Sequence, residues 1–167
     1  MKERILPTIV LTVICAVVCG LLAAVNGATR DRIAQAERDK VQRSLTAVFG
    51  EGTYTPAANA PEGVTAVYTN DSGLTIYDIT ADGYAKGGLR VLVGLDEAGC
   101  VASVGIVSCG ETAGVGTKVT EPIYLAQFSG AADKNDYPDA ISGATFSSRG
   151  LAGAVALAQP YAKEVQP

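Results

Sequence analysis

The sequence predicts an α+β fold: an N-terminal transmembrane helix followed by a single domain with a mostly antiparallel sheet packed on helices. Three observations lead there. Residues 5–25 read ILPTIVLTVICAVVCGLLAAV, without a charge, about 31 Å of helix at 1.5 Å per residue and so the thickness of a hydrocarbon core. Two pairs of strand-like segments are each joined by a tetrapeptide of turn-forming residues. The chain then closes on an apolar segment, mainly Ala, Leu and Val, of helical composition.

The first element is read as a retained anchor. A cleaved signal has an apolar region of about 7 to 15 residues ending in a small-x-small site. Here the run is longer, and Val25-Asn26-Gly27-Ala28 is a weak exit for a peptidase. Lys2 and Arg4 precede the segment, whereas Arg30, Arg32, Arg38, Lys40 and Arg43 follow it. A plain count would keep the C-terminal side in the cytoplasm. Long domains, however, cross largely regardless of charge and a short tail tends to decide, so the expectation is N-terminus inside and domain outside, on a single-pass protein of the plasma or inner membrane.

Asn26-Gly27 is expected to break the helix. After it, residues 29–49 read as an amphipathic linking helix capped by Thr29, with Ile33, Val41, Leu45 and Val48 on one face. Residues 1–28 are then the tail and anchor, 29–49 the link, and 50–167 the domain. Gly50 to Gly63, with Pro56 and Pro61, reads as a loop, and whether a strand lies within it is open. Strands are expected at Val64–Thr69 and Leu74–Thr80 around the turn Asn70-Asp71-Ser72-Gly73. A second hairpin is expected from Leu89–Leu95 and Val101–Ser108 around Asp96-Glu97-Ala98-Gly99. A short helix at Glu121–Phe128 would carry Pro122 in its first turn, and the closing helix spans 149–158, up to Pro160.

Composition excludes several chemistries. The net charge of −4 leaves no basic field for a phosphate backbone, so no nucleic-acid partner is expected. The chain has no histidine, which excludes Ser-His-Asp and Cys-His nucleophiles, HExxH metal sites and His-ligated haem. Redox chemistry here would need an acquired cofactor. Cys15 and Cys19 lie in the apolar run as small packing residues. Cys100 and Cys109, at the ends of one strand, stand about 30 Å apart at 3.3 Å per residue. A disulfide needs Cα atoms within about 7 Å, so both read as free thiols, and no metal site is expected.

Two loops can carry chemistry. Ser142-Gly143-Ala144-Thr145-Phe146-Ser147-Ser148 places four hydroxyls and two small residues before a helix. That pattern serves either as an ordinary N-cap cluster or as a phosphate site, where unpaired N–H groups and the helix dipole favour an anion. Gly110-Glu111-Thr112-Ala113-Gly114-Val115-Gly116-Thr117-Lys118 lacks the spacing of a Walker loop or a dinucleotide fingerprint. It reads either as a flexible loop or as backbone packed on a flat ligand, with Glu111, Thr112 and Lys118 as polar contacts.

Together the loops resemble a known family. Asp139-Ala-Ile-Ser-Gly-Ala-Thr145-Phe-Ser is similar to the D-x-x-S/T-G-A-T-x-S/T signature of FMN-binding domains. Ser108-Cys109-Gly110-Glu111-Thr112-Ala113-Gly114-Val115-Gly116 is similar to the S-H-x-E-T-P-G-L-G loop of the G subunits of Rnf electron-transport complexes. The corresponding flavin-bearing subunit of the sodium-pumping NADH:quinone reductase shares the architecture. The resemblance covers about residues 5 to 158. It implies FMN esterified through its phosphate to Thr145 by a separate flavin transferase that uses FAD and magnesium. It also implies a binding set of Ser142, Gly143, Ala144, Ser147, Ser148, Glu111, Thr112, Gly114, Val115, Gly116 and Lys118, and no catalytic residue in this chain. By the same resemblance the chain would be an electron-relay subunit of an ion-translocating ferredoxin:NAD oxidoreductase, partnered by other membrane and peripheral subunits. A stand-alone extracytoplasmic flavoprotein and a non-redox anchored binding domain are the alternatives. Cys109 stands where the family has His, and Ala113 where it has Pro. A thiol beside the flavin ring is the expectation that this alignment of motifs suggests.

Overall fold

The computed structural model describes residues 2–162, with the backbone alone for residues 2–6 and 162. It divides into two compact units, one up to Lys40 and one from Val41 onward.

The first unit is helical. Helix α1 is assigned to Lys2–Phe49 without interruption, and it is long and apolar enough to cross a membrane. Its apolar side chains are exposed all round: Leu11, Leu21, Leu22 and Val25 each present 60% or more of their surface. A helix without a polar face has no reason to sit on a soluble core. Thr12 and Thr29 donate their hydroxyls to the carbonyls of Thr8 (2.8 Å) and Val25 (2.9 Å), satisfying polar groups inside the helix. The break expected at Asn26-Gly27 is therefore absent, and Thr29 is an interior residue rather than a cap. One interior glycine costs only about 1 kcal/mol against alanine. Ile33, expected on the buried face, is exposed, and burial along α1 begins at Val41. Lys2 and Arg4, on which the expected orientation partly rests, lie among the residues described by backbone alone.

The second unit contains a five-stranded antiparallel sheet in sequence order: β1 (Tyr54–Pro56), β2 (Ala66–Asn70), β3 (Thr75–Ala81), β4 (Leu89–Leu95) and β5 (Val101–Cys109). β1, in the stretch left open by the sequence, pairs Tyr54 with Asn70 and Pro56 with Tyr68. Both expected hairpin turns form. Asn70 Oδ1 accepts from the N–H groups of Ser72 and Leu74, and Asp96 Oδ1 from that of Cys100, so each turn is held by the side chain at its head.

Alternation along the strands gives the sheet two apolar faces. One face, with Val67, Tyr77, Ile79, Leu89, Val91 and Val93, packs on α3 (Thr145–Ala162) through Leu151, Ala154, Val155 and Ala158. The other, with Ile76, Leu92 and Val107, packs on Val41 and Leu45 at the end of α1. Val107 reaches that face because β5 bulges between the pairs Arg90–Ser108 and Val91–Ile106, which adds one residue and resets the alternation. Asp78, fully buried, meets Arg90 through two bonds, Nε to Oδ1 at 2.9 Å and Nη2 to Oδ2 at 2.7 Å. A paired, bidentate contact is what permits a charge there.

The approach of α1 to the sheet is set by missing side chains. A Cβ at Gly94 would collide with the Phe49 ring, and one at Gly105 with Val48. The expected helix at Glu121–Phe128 is α2 (Pro122–Leu125) continued by a 3₁₀ turn at Ala126–Phe128, with Pro122 in its first turn. α3 is longer than expected at both ends. It begins at Thr145 and passes through Pro160, which sits in the last turn. Gly105→Val is expected to overpack this face and lower stability by about 1–3 kcal/mol, read as a reduced urea midpoint with an unchanged slope.

Candidate functional site

A cavity of about 320 Å³ opens where three segments meet, lined by Tyr84, Glu111, Thr112, Val115, Gly116, Gly143, Ala144, Phe146 and Ser147. The volume is at the lower end of small-molecule sites, about 300–1,000 Å³. The first segment is the β3–β4 connection, residues 82–88. The second is the Gly-rich loop after β5, and the third is the entry to α3.

Each segment is shaped locally before it meets the others. The Gly-rich loop winds around one carbonyl: the N–H groups of Val115, Gly116 and Thr117 all donate to the Thr112 oxygen, at 3.2, 2.9 and 3.3 Å. Gly114 adopts φ +74° and donates to Thr117 Oγ1, so the loop is a compact turn running into a 3₁₀ helix at Gly116–Thr120. The stretch before α3 is tied down from outside. Tyr124 Oη donates to the Asp139 carbonyl (3.4 Å), and Tyr137 Oη to Gln159 Oε1 (2.7 Å). Burial, with Asp133 and Asp136 nearby, pushes the Tyr137 phenol up to about 12, so this donor keeps its proton at neutral pH. Closing the turn, Ser148 Oγ accepts from the Ile141 N–H (3.0 Å) and Ala144 N–H donates to the Ile141 carbonyl, with Gly143 at φ +82°.

Glu111 joins all three segments. Its side chain is 92% buried, because only 8% of its surface is exposed. Oε2 accepts from the Tyr84 N–H (2.9 Å) and the Ser147 hydroxyl (2.5 Å), and Oε1 from the Ala85 N–H (3.1 Å). Glycines surround it. A Cβ would stand 2.6 Å from the carboxylate at Gly83, 2.5 Å from it at Gly88, and 2.7 Å from the Glu111 Cβ at Gly116. Burial alone would raise the carboxyl pKa, but the Ser147 hydroxyl and the two N–H groups outweigh it and hold the value below 4.5. Glu111 is therefore ionised at neutral pH.

The remaining polar groups face the other way. Among the described residues, the N–H groups of Thr145, Phe146 and Ser147 and the Thr145 hydroxyl make no hydrogen bond. Thr145 is the first residue of α3 and half-buried. No hydroxyl of the Ser142–Ser148 cluster caps that helix within the described residues: Ser147 serves Glu111 and Ser148 serves Ile141. At the mouth, Tyr84 and Phe146 are 77% and 65% exposed, and their rings meet edge-on at 6.3 Å between centroids.

Of the residues expected from sequence, Glu111, Thr112, Val115, Gly116, Gly143, Ala144 and Ser147 line the cavity. Gly114 shapes the loop, Ser148 is buried behind it, and Ser142 and Lys118 are exposed outside the lining. Cys109 is half-buried and lines a different cavity, with Val104, Thr120 and Leu125, so the structure does not bring the thiol to this site. Sequence reasoning missed Tyr84 and the role of Phe146. Tyr84 sits in a Gly-rich connection, Gly83-Tyr84-Ala85-Lys86-Gly87-Gly88, whose density of glycines was the available signal.

Ser147→Ala leaves Glu111 with one donor fewer. A carboxyl with a depressed native pKa contributes stability that is fully present above its unfolded value of 4.5 and is lost as pH falls through the native one. Urea unfolding is expected to show a deficit of about 1.5–3 kcal/mol at pH 7 that shrinks below that value.

Comparison with known proteins agrees with this layout. Residues 83–159 match the family model of the FMN-binding domain, and residues 6–48 match that of the RnfG N-terminal region. The G subunit of the ion-translocating oxidoreductase complex of Shewanella piezotolerans is 26% identical over 199 aligned positions, spanning 98% of this chain and 92% of that protein. The two models match in order along one sequence, and the chain belongs to the RnfG family and carries an FMN-binding domain.

Proposed function

We propose that the chain is the electron-relay subunit of an ion-translocating, Rnf-type ferredoxin:NAD oxidoreductase complex, with FMN esterified through its phosphate to Thr145. The observation that carries this reading is an unbonded Thr145 hydroxyl on the first residue of a helix, beside a cavity within the FMN-binding domain.

The residues present fit that group. Three unbonded N–H groups and the helix dipole suit an anionic phosphodiester. Tyr84, Phe146 and Val115 offer exposed apolar surface to a flat ring, with the loop backbone of Thr112 and Gly116 beside them. FMN supplies one- and two-electron transfer, which no side chain here provides.

Attachment needs outside help. A threonine hydroxyl is a weak nucleophile without a base. The carboxylate in the cavity is occupied by three donors, and the chain has no histidine. A flavin transferase that recognises Asp139 to Ser147 supplies the missing chemistry. In that step the Thr145 oxygen forms a bond to the flavin phosphorus, AMP leaves from FAD, and the hydroxyl proton passes to the transferase. Multi-spanning and peripheral subunits of the complex are the electron partners. The domain lies on the extracytoplasmic side, where a covalent bond prevents loss of a cofactor that could not readily be replaced.

Thr145→Ala, co-expressed with the transferase, is expected to run as a band without flavin fluorescence after denaturation, whereas the unaltered chain fluoresces. Fluorescence retained by the variant would refute the attachment. Co-purification of the unaltered chain with multi-spanning subunits supports the complex; a solitary fluorescent chain favours a stand-alone carrier.

A further inference from the structure

We propose that Glu111 is a positioning and charge-setting residue for the flavin: its buried carboxylate locks the three cavity segments together and, as a fixed negative charge in the cavity wall, lowers the flavin's reduction potential. This rests on the reading of the cavity as the FMN site.

The sequence suggested a polar contact to the ligand, and the geometry assigns a different task. All three strong donors within reach of Glu111 belong to the protein, and they come from two segments other than its own. The ring of glycines packed against it leaves no space for the carboxylate to swing away. A charge at 8% exposure is poorly screened by solvent and by salt. A flavin ring that takes two electrons from a reduced carrier and one proton from water gains one negative charge. A carboxylate in the same wall opposes that gain, so the reduced form is harder to reach. The three donors offset part of the charge, and removing one exposes more of it.

Two variants separate charge from scaffolding. Glu111→Gln keeps the shape and one acceptor oxygen while removing the charge. Ser147→Ala keeps the charge and removes the shortest of its hydrogen bonds. Redox titration of the flavin-loaded full-length chain in detergent is expected to give a midpoint above the unaltered protein for Glu111→Gln, and one below it for Ser147→Ala. A purely structural clamp would give shifts of one sign or none, and either result overturns the proposal. Should Glu111→Gln fail to fold, Ser147→Ala decides alone: a lower midpoint supports the proposal, and an equal or higher one overturns it. An unaltered chain without flavin removes the proposed function and this inference together. Flavin present with unshifted midpoints removes only the inference.

Discussion

The buried carboxylate of Glu111 holds Tyr84 and Ala85 by their backbone N–H groups on one side and the Ser147 hydroxyl on the other, joining segments up to 36 residues apart. An ionised group at that depth costs several kcal/mol if its donors are lost. The three segments are consequently interdependent. The connection after β3 takes its course because two of its N–H groups point inward. The Gly-rich loop brings Glu111 beneath it, and α3 begins where Ser147 can close the set. The glycines at 83, 88 and 116 are the steric counterpart of this arrangement, since each occupies a point where a side chain would displace the carboxylate. The cavity wall is thus built from one charge and the backbone that surrounds it.

With Ser147 and Ser148 committed to Glu111 and Ile141, the opening turn of α3 keeps its N–H groups and the Thr145 hydroxyl unbonded among the described residues. A helix start stripped of its caps is poorly satisfied unless an anion or water completes it. That arrangement divides the work. The chain supplies a receptive geometry and a rigid wall, and the proposed cofactor and transferase supply the reactivity that a chain without histidine lacks. Helix α1 supplies the remaining part, an apolar surface on every side that only a membrane would solvate well.

Much of this was legible in the sequence because the signals were local. Period-2 alternation and two turns headed by Asn70 and Asp96 sufficed for four strands and their pairing. The Ser142–Ser148 and Gly110–Lys118 segments stood out by composition and by resemblance to a family. What escaped depended on distant contacts. β1 is three residues long, and its pairing with β2 carries no period of its own. The bulge in β5 redirected Val107 without a local mark. Asn26-Gly27 looked like a break because propensity is a weak prior, and the long apolar context on either side prevailed. Tyr84 and its neighbouring glycines acquire meaning only once Glu111, 27 residues later, is seen to bind them. Cys109 shows the converse: aligned beside Glu111 in the motif, it points its half-buried side chain toward another cavity.

The most direct test is the mass of the peptide that bears the flavin. Digestion with trypsin releases Asn135–Arg149 from the full-length protein purified from membranes that contain the transferase. The account predicts this peptide heavier by one FMN less one water, with fragmentation placing the addition on Thr145. An unmodified peptide, or flavin located on any other residue, would contradict it.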